Sequence, residues 1–339
     1  MQYTQLGRTG LNVSRLCLGC MNYGPQATEA DGHAQMDQAH DLGINFFDTA
    51  DVYGHQRGEG ITEKIIGNWF AQGGGRRERT IIATKVFGDM NLDDNDHVMK
   101  RGLSAIKIRR ACDNSLKRMK TDYIDLYQMH HVARECPWDE IWQAMEVLVQ
   151  QGKILYVGSS NFAGWHIAAA SETAKARHFL GLVSEQCLFN LMSRTSELEV
   201  LPAAQKYGLG VIPWSPLAGG MLGGILQKKD KGRTAGKSAD ERLAKIRPQI
   251  EAWETFCKSI GEQPADVALA WTLHHPAVTA PIIGPRTMEQ LTGSVRAVEI
   301  KLSDDQLKAL DRIFPGPKGS TPEGTSDWTK QIAPEAYAW

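Results

Sequence analysis

Short apolar runs alternate with longer segments of mixed apolar and polar residues along most of the chain. The short runs are rich in Val, Ile, Leu and Phe, which is typical of buried strands in a parallel sheet. Eight runs are predicted to be strands: Leu16-Cys-Leu, Asn45-Phe-Phe, Thr80-Ile-Ile-Ala-Thr, Tyr123-Ile-Asp-Leu-Tyr, Ile154-Leu-Tyr-Val-Gly, Leu182-Val-Ser-Glu-Gln, Gly210-Val-Ile-Pro and Thr279-Ala-Pro-Ile-Ile. Residues 3–6 and 11–15 precede them and predict a β-hairpin.

The longer segments have helical spacing, and several begin with Ser, Thr or Asp or carry Pro in the first turn. We predict helices at 29–42, 62–72, 104–120, 139–151, 166–177, 196–207, 264–274 and 288–298, with an extra helix at 239–260. This alternation predicts an α/β fold, a (β/α)8 TIM barrel in a single domain spanning residues 1–339. A doubly wound sheet is the alternative, which is disfavoured because no Gly-x-Gly-x-x-Gly follows the first strand.

Two segments depart from the plain barrel pattern. Residues 219–240 are rich in Gly, Lys and Ser, which predicts a long mobile loop after the seventh strand. That loop would lie on the face where barrels carry active sites, so we expect it to become ordered when a cofactor binds. The tail after Phe314 is rich in Pro and Gly and either covers the mouth of the barrel or is disordered.

Composition and charge narrow the classes of function. The net charge is −1, with 38 Lys and Arg against 39 Asp and Glu, so we expect neither a nucleic-acid nor a membrane partner. The six cysteines, without a signal peptide or long apolar run, predict a cytoplasmic protein with free thiols. Cys17-x-x-Cys20 has redox or zinc spacing but lies on an apolar strand without a second pair, so we predict buried core residues and no metal site.

Four residues with acid–base chemistry follow the ends of neighbouring strands. Asp48 and Tyr53 follow the second strand, Lys85 the third, and His130 the fourth. We expect all four to meet at one end of the barrel. A tyrosine with a free pKa near ~10 needs a nearby cation to lower that pKa before it can act as an acid at neutral pH, and we expect Lys85, held by Asp48 through an ion pair, to lower it.

The chain resembles the aldo-keto reductase superfamily in five motifs that occur in order. They are Asp48-Thr-Ala-Asp-Val-Tyr53-Gly, Ile82-Ala-Thr-Lys85, Asp122-Tyr-Ile-Asp-Leu-Tyr-Gln-Met-His130, Gly158-Ser-Ser-Asn161-Phe and Trp214-Ser-Pro-Leu. The resemblance implies an NADPH-dependent reductase that converts an aldehyde or ketone into an alcohol, with Tyr53 as general acid and His130 orienting the carbonyl. Because side chains cannot supply a hydride, the cofactor would do so. The resemblance also favours closure of the tail over the substrate pocket.

The same resemblance implies which residues bind NADPH. Ser160, Asn161 and Gln186 would fix the nicotinamide carboxamide, Trp214 would stack on the ring, and Arg286 would pair with the 2′-phosphate. The implied set is Gly19, Cys20, Met21, Asp48, Ser160, Asn161, Gln186, Trp214, Ser215, Pro216, Leu217, Gly219, Gly284, Arg286, Gln290 and Ser294. Related sequences usually have Glu-Asn where this chain has Gly293-Ser294, which is a departure at the adenosine end.

Two alternative functions remain open. The hairpin, the segment 45–50 and Trp69-Phe-Ala-Gln-Gly-Gly resemble reductases of nucleotide-linked keto or enoyl sugars. Non-catalytic channel β-subunits also resemble this chain, but they typically carry Asn at the position of His130, so the histidine favours an enzyme.

The expected partner is a small carbonyl compound, and either a monomer or a homo-oligomer is compatible with the sequence. His131 is interpreted as a pocket or surface residue.

Overall fold

The structure is a computed structural model that describes residues 1–54, 58–90, 97, 100–227 and 237–317, excluding the side chains of 237–239. It begins with a hairpin in which β1 (Tyr3–Gln5) pairs antiparallel with β2 (Asn12–Ser14), as predicted. The following elements are β3 (Cys17–Gly19), α1 (Glu29–Asp41), β4 (Phe46–Asp48), α2 (Ile61–Phe70), β5 (Ile81–Val86), α3 (Ala105–Met119), β6 (Ile124–Met129), α4 (Trp138–Gln150), β7 (Ile154–Ser160), α5 (Gly164–Ala176), β8 (Leu182–Gln186), α6 (Val200–Tyr207), β9 (Gly210–Val211), α7 (Lys237–Ser259), α8 (Pro264–His274), β10 (Ile282–Ile283), α9 (Met288–Ser294) and α10 (Asp304–Ile313).

Eight parallel strands form one sheet in the order β10-β3-β4-β5-β6-β7-β8-β9. Backbone hydrogen bonds join its two edges, since Thr279 N donates to Val211 O at 2.8 Å and Ile282 N donates to Pro213 O at 2.8 Å. The predicted (β/α)8 barrel is confirmed. β9 and β10 are shorter than predicted because Pro213 and Pro281 have no N–H to continue the ladder.

The barrel interior has its own apolar cluster, separate from the larger core between sheet and helices. Alternate strand residues form this cluster, and the hairpin contributes Leu6 and Val13 to it. The strand residues are Cys17, Phe46, Ala83, Leu126 and Val183, and Ile212 and Ala280 join them from positions just after β9 and just before β10. The hairpin therefore packs against one end of the barrel, while the opposite end is left for the predicted site.

Several predicted elements differ in extent from the structure. The helix predicted at 196–207 begins at Val200, because Thr195–Glu197 form a separate 3-10 turn. An ion pair between Arg194 and Glu197, at 2.8 Å, spans this turn. The helix predicted at 288–298 ends at Ser294 and continues as a 3-10 turn, Val295–Val298. α10 was not predicted, although Ser303 and Gln306 form a capping box at its start.

The segment 219–240, predicted as one mobile loop, is divided in the structure. Met221, Leu222 and Ile225 are buried, and the indole of Trp253 in α7 donates to Leu222 O at 3.3 Å. The segment's last residues belong to α7, whose prediction as an extra helix is confirmed. Residues 228–236, which carry most of the basic charge, and the tail from residue 318 lie outside the described residues.

No helix within the described ranges is both long and apolar enough to cross a membrane. Among the same residues no group of three His, Cys, Asp or Glu side chains is arranged to hold a metal ion. Cys17 and Cys20 are both buried free cysteines in the barrel wall.

Candidate active site

A layer of polar side chains projects into the barrel above its apolar cluster. Side chains alternate along a strand, so a residue two positions after an inward apolar residue also points inward. Asp48 follows Phe46 by two positions, and Lys85 follows Ala83 in the same way. Ser160 and Gln186, which are paired neighbours at the ends of β7 and β8, extend the layer around the barrel.

Lys85 is the centre of this layer and its side chain is fully buried. Its ammonium donates to Asp48 Oδ1 at 2.6 Å, to the carbonyl oxygen of Thr49 at 2.7 Å and to the hydroxyl oxygen of Tyr53 at 3.2 Å. Burial lowers the pKa of Lys85, but Asp48 and Tyr53 outweigh burial and raise it overall. Lys85 is therefore a cation at neutral pH with all three of its donors engaged.

The second oxygen of Asp48 is bound by two amides. Gln128 Nε2 donates to Asp48 Oδ2 at 3.0 Å, and Gln186 Nε2 donates to the same oxygen at 2.8 Å. Gln128 was not among the predicted site residues, although it lies two positions before His130 on β6 and alternation would have placed it in the layer. Gln186, predicted to contact the carboxamide, is here a support for Asp48.

Tyr53 lies in the loop between β4 and α2, with its ring near Lys85 and its hydroxyl bonded to that ammonium. Desolvation raises the pKa of Tyr53, Lys85 lowers it, and Asp48 raises it, with a net increase. The expectation that Lys85 takes this pKa below its ordinary value is thus wrong for this structure, because burial and the carboxylate outweigh the cation. Tyr53 is fully protonated at neutral pH.

His130 lies beside Tyr53, with ring centroids 5.8 Å apart in an edge-on arrangement. Burial lowers the pKa of His130 to about 2, and Lys85 and His131 contribute to the same decrease. The imidazole is therefore neutral and has one donor and one acceptor nitrogen. The structure places Asp48, Tyr53, Lys85 and His130 together, as the strand-end positions predicted.

The residues predicted to hold the nicotinamide meet at the ends of β7 and β9. Asn161 has a left-handed φ of 59°, and its Nδ2 donates to His130 O at 3.1 Å and to Ser160 Oγ at 3.0 Å. Its Oδ1 accepts from the indole Nε1 of Trp214 at 3.1 Å. These contacts hold Ser160, Asn161 and Trp214, which were predicted to contact the nicotinamide, in fixed positions relative to His130. The Trp214 side chain is half-buried.

A buried carboxyl group supports the turn that carries Asn161. Phe162 N donates to Glu185 Oε1 at 3.0 Å, and the Ser159 hydroxyl contacts Glu185 Oε2. Burial raises the pKa of Glu185 to about 8, against smaller opposing effects of these hydrogen bonds. Glu185 was missed by sequence analysis, because only the fold shows that its side chain reaches a neighbouring loop.

The segment after β9 has a backbone shape suited to an anion. Ser215 and Ala218 have φ values of 52° and 51°, and Gly219 and Gly220 have φ values of 70° and 101°. Left-handed residues interspersed in a turn give the concave backbone that binds phosphates. A Cβ at Gly219 would meet no atom within 4 Å, so space is open there. Asn190 Nδ2 donates to Ser215 O at 2.9 Å, whereas Pro216 is buried and Leu217 is half-buried.

Arg286 precedes α9 at the end predicted to hold the adenosine. Its backbone N donates to Gln290 Oε1 at 2.8 Å, whereas its guanidinium has no hydrogen-bond partner within the described ranges. Asn22 Nδ2 donates to Gly284 O at 3.0 Å and holds the preceding turn. Ser294 is buried, and its hydroxyl donates to Leu291 O at 2.7 Å, so that side chain faces the helix backbone.

The three predicted residues at the end of the first barrel strand differ in exposure. Gly19 and Cys20 are buried, and Cys20 N donates to Asp48 O at 2.9 Å. Met21 is 44% exposed and lies beyond the strand end. Together with the open space at Gly219 and the Arg286 guanidinium, which the described residues leave without a hydrogen bond, these features fit an extended phosphorylated nucleotide along the rim.

Comparison with known proteins gives consistent matches over the whole chain. The model of the aldo/keto reductase family matches residues 15–314. The uncharacterized oxidoreductase YrpG of Bacillus subtilis (strain 168) is 54% identical, with 100% of both chains covered. The versiconal hemiacetal acetate reductase of Aspergillus parasiticus is 31% identical over 93% of this chain and 97% of its own. A Schizosaccharomyces pombe protein provisionally named a voltage-gated potassium channel subunit beta is 32% identical over 91% of this chain and 92% of its own.

Proposed function

Because the chain belongs to the aldo/keto reductase family, we propose that it is an NADPH-dependent reductase that converts an aldehyde or ketone into an alcohol. The observation that carries the proposal is the Lys85 ammonium, which contacts both Asp48 and Tyr53 beside a neutral His130. Carbonyl reduction in general follows from the family and its oxidoreductase relatives. The cofactor and the acid residue are the proposed parts.

The hydrogen-bond directions support Tyr53 as the proton donor. Lys85 donates to the hydroxyl oxygen of Tyr53, so the tyrosine's own hydrogen is free to point toward a substrate oxygen. When the proton is transferred, the ammonium stabilises the tyrosinate that remains. Asp48 holds Lys85 in place, and its two amide partners hold Asp48. The neutral His130 can donate a hydrogen bond to the same carbonyl oxygen and orient it.

Bound NADPH would supply the hydride. Its carboxamide would contact Ser160 and Asn161, its ring would lie on Trp214, and its phosphates would lie along Ser215 to Gly219. Arg286 would pair with the 2′-phosphate, because a guanidinium binds phosphate oxygens through two parallel hydrogen bonds. The six free cysteines support the proposal of a cytoplasmic location.

Two other functions are distinguished from this proposal by one set of assays. A reductase of nucleotide-linked sugars would act on such sugars and leave small aldehydes unreduced. A non-catalytic channel β-like subunit, suggested by one relative's name, would bind NADPH but would not oxidise it with any compound of the panel. The panel therefore spans small aldehydes, bulky cyclic ketones and nucleotide sugars, with NADPH oxidation as readout.

Lys85→Met tests the proposed mechanism directly. We expect carbonyl reduction to fall about 10²–10⁴-fold, because the tyrosinate loses its stabilising cation. NADPH affinity, measured by quenching of tryptophan fluorescence, should change little, and a thermal melt checks folding. Lys153→Met is the matched control, since Lys153 pairs with Asp113 on the helical surface at 2.7 Å. Near-normal turnover by Lys85→Met would show that Lys85 does not have the proposed role.

A further inference from the structure

A row of stacked side chains leads from the catalytic His130 to a cationic group. The rings of His130 and His131 are nearly parallel, with centroids 4.9 Å apart and an interplanar angle of 7°. Phe87 meets His131 edge-on at 5.2 Å, and the guanidinium carbon of Arg101 lies over the Phe87 ring at 5.0 Å. Each contact is within the range of direct aromatic or cation–π interaction.

The row lies on the substrate side of the barrel. His130 and His131 follow β6, Phe87 follows β5, and Arg101 lies in the connection from β5 to α3. These positions are on the end of the barrel that carries Tyr53. His131 and Arg101 are exposed, whereas Phe87 is only 5% exposed and provides a fixed base for the guanidinium.

Arg101 retains its hydrogen-bonding capacity. Its guanidinium forms no ion pair or hydrogen bond with the described residues, and its contact with Phe87 leaves the edge donors available. A cavity of about 250 Å³ adjoins it, lined also by Lys100, Lys107, Glu135 and Glu140. Arg101 and Lys100 supply its exposed positive charge, while Glu140 Oε1 accepts from Ala105 N at 2.9 Å.

Within the row itself, the only charged group is the Arg101 guanidinium, whereas Glu135 and Glu140 belong to the lining of the cavity that adjoins it. Burial lowers the pKa of His131, and Arg101 lowers it further. The imidazole rings near the catalytic centre are therefore neutral, and the nearest full charge along the row is the guanidinium. A negative group placed there would meet planar, uncharged rings on one side and a bidentate donor at the end.

We propose that the row from His130 to Arg101 is a substrate subsite for carbonyl compounds whose planar, unsaturated body ends in a carboxylate. The carbonyl lies at Tyr53 and His130, the planar body lies along the exposed His131, and the carboxylate pairs with Arg101, which the buried Phe87 supports. This inference rests on the proposed reductase function and adds the class of substrate to it. Arg101 is the residue that sets the preference.

Matched substrates test the subsite. The first pair is 4-carboxybenzaldehyde and its methyl ester, and the second, longer pair is 4-formylcinnamic acid and its methyl ester. We expect wild-type kcat/KM to favour the acid of at least one pair about tenfold, since a charge-assisted bidentate contact is worth about that factor. Raising the salt concentration should reduce this preference, because the contact is partly exposed.

Substitution of Arg101 assigns the preference. Arg101→Gln should remove the acid's advantage and leave kcat/KM for the ester unchanged, while Arg101→Lys should keep part of it through charge alone. Arg134→Gln is the matched control, because Arg134 is an exposed arginine on the following connection and is outside the row. Equal rates for acid and ester in wild type, or equal losses for both in Arg101→Gln, would overturn the subsite.

A binding measurement separates failure of the subsite from failure of the proposed function. If wild type reduces neither the esters nor the acids, the reductase proposal fails. The subsite is then still tested by calorimetry, which measures binding of terephthalate, a planar dicarboxylate that cannot be reduced. Binding about tenfold tighter to wild type than to Arg101→Gln supports the subsite. Equal binding, or none, excludes it.

Discussion

At the scale of single residues, the site depends on compensation of buried charge. An uncompensated buried ion costs several kcal/mol, and Lys85 avoids that cost through Asp48 and two further oxygen acceptors. Asp48 is compensated in turn by Gln128 and Gln186. Because no donor of Lys85 is left over, the geometry at Tyr53 is fixed before any substrate arrives.

Arg286 is a residue-scale test of cofactor choice. Arg286→Ala should weaken NADPH binding about 10- to 100-fold and leave NADH binding little changed, because only NADPH carries the 2′-phosphate. Dissociation constants of both cofactors, measured by quenching of tryptophan fluorescence, give the result. Arg312→Ala in α10 is the control for removal of an exposed arginine. Equal weakening of both cofactors, or no wild-type preference for NADPH, would exclude Arg286 as the phosphate ligand.

At the scale of elements, the helices around the barrel are positioned by close backbone approach and by buried ion pairs. α2 begins after the loop that carries Tyr53 and packs on α3. Arg118 at the end of α3 donates to Glu63 in α2 at 2.7 Å. Gly67 lies in the same contact, where a Cβ would lie 2.1 Å from Arg118 O.

Gly67→Ala should therefore destabilise the protein, although alanine is the better helix former. The added methyl would collide with backbone that cannot rotate away, and overpacking of this kind costs about 1–3 kcal/mol. Gly293→Ala in α9 is the matched control, because a Cβ there meets nothing within 4 Å. That change should be neutral or stabilising by up to about 1 kcal/mol. Denaturant unfolding measures both, and equal stability of the two variants would contradict the packing argument.

At the scale of the whole molecule, stability depends on groups that folding removes from water. Glu185 is fully buried between β7 and β8, and burial raises its pKa to about 8. Protonated Glu185 can donate to Ser159 Oγ, whose own hydrogen then reaches Ser184 O at 3.2 Å. The neutral acid thus fits the observed contacts.

Glu185 predicts a loss of stability as pH rises. Its folded pKa exceeds its unfolded value, so between these two values the native state binds a proton that the unfolded state has lost. The stability that Glu185 contributes is therefore fully present below about pH 4.5 and is lost as pH rises through about 8. Glu185→Gln cannot titrate, so its free energy of unfolding relative to wild type should increase by roughly 2–4 kcal/mol between pH 5 and pH 8. Denaturant unfolding at both pH values measures this. A pH-independent difference would show that Glu185 is ionised in the native state.

Sequence pattern alone determined the barrel and the four residues at its mouth. The alternation of apolar strands and helices requires parallel strands, and parallel strands bring their carboxyl ends to one face. Asp48, Lys85 and His130 could therefore be placed together by counting along the chain, as could Tyr53 in the loop between them. The motif that ends at His130 also contained Gln128, which the alternation of strand side chains could have identified.

Only the tertiary structure decided the pKa values and the contacts that depend on burial and on distances between residues far apart in the chain. The net pKa of Tyr53 was predicted in the wrong direction, because desolvation by the barrel wall has no local sequence signal. The same reason hid the role of Glu185, which is set by Ser159 and Phe162 on a neighbouring strand and loop. The row from His130 to Arg101 joins two barrel connections whose relative position the strand order alone does not give. Local pattern fixes the direction of each side chain, whereas solvent exclusion and contacts between elements require the assembled barrel.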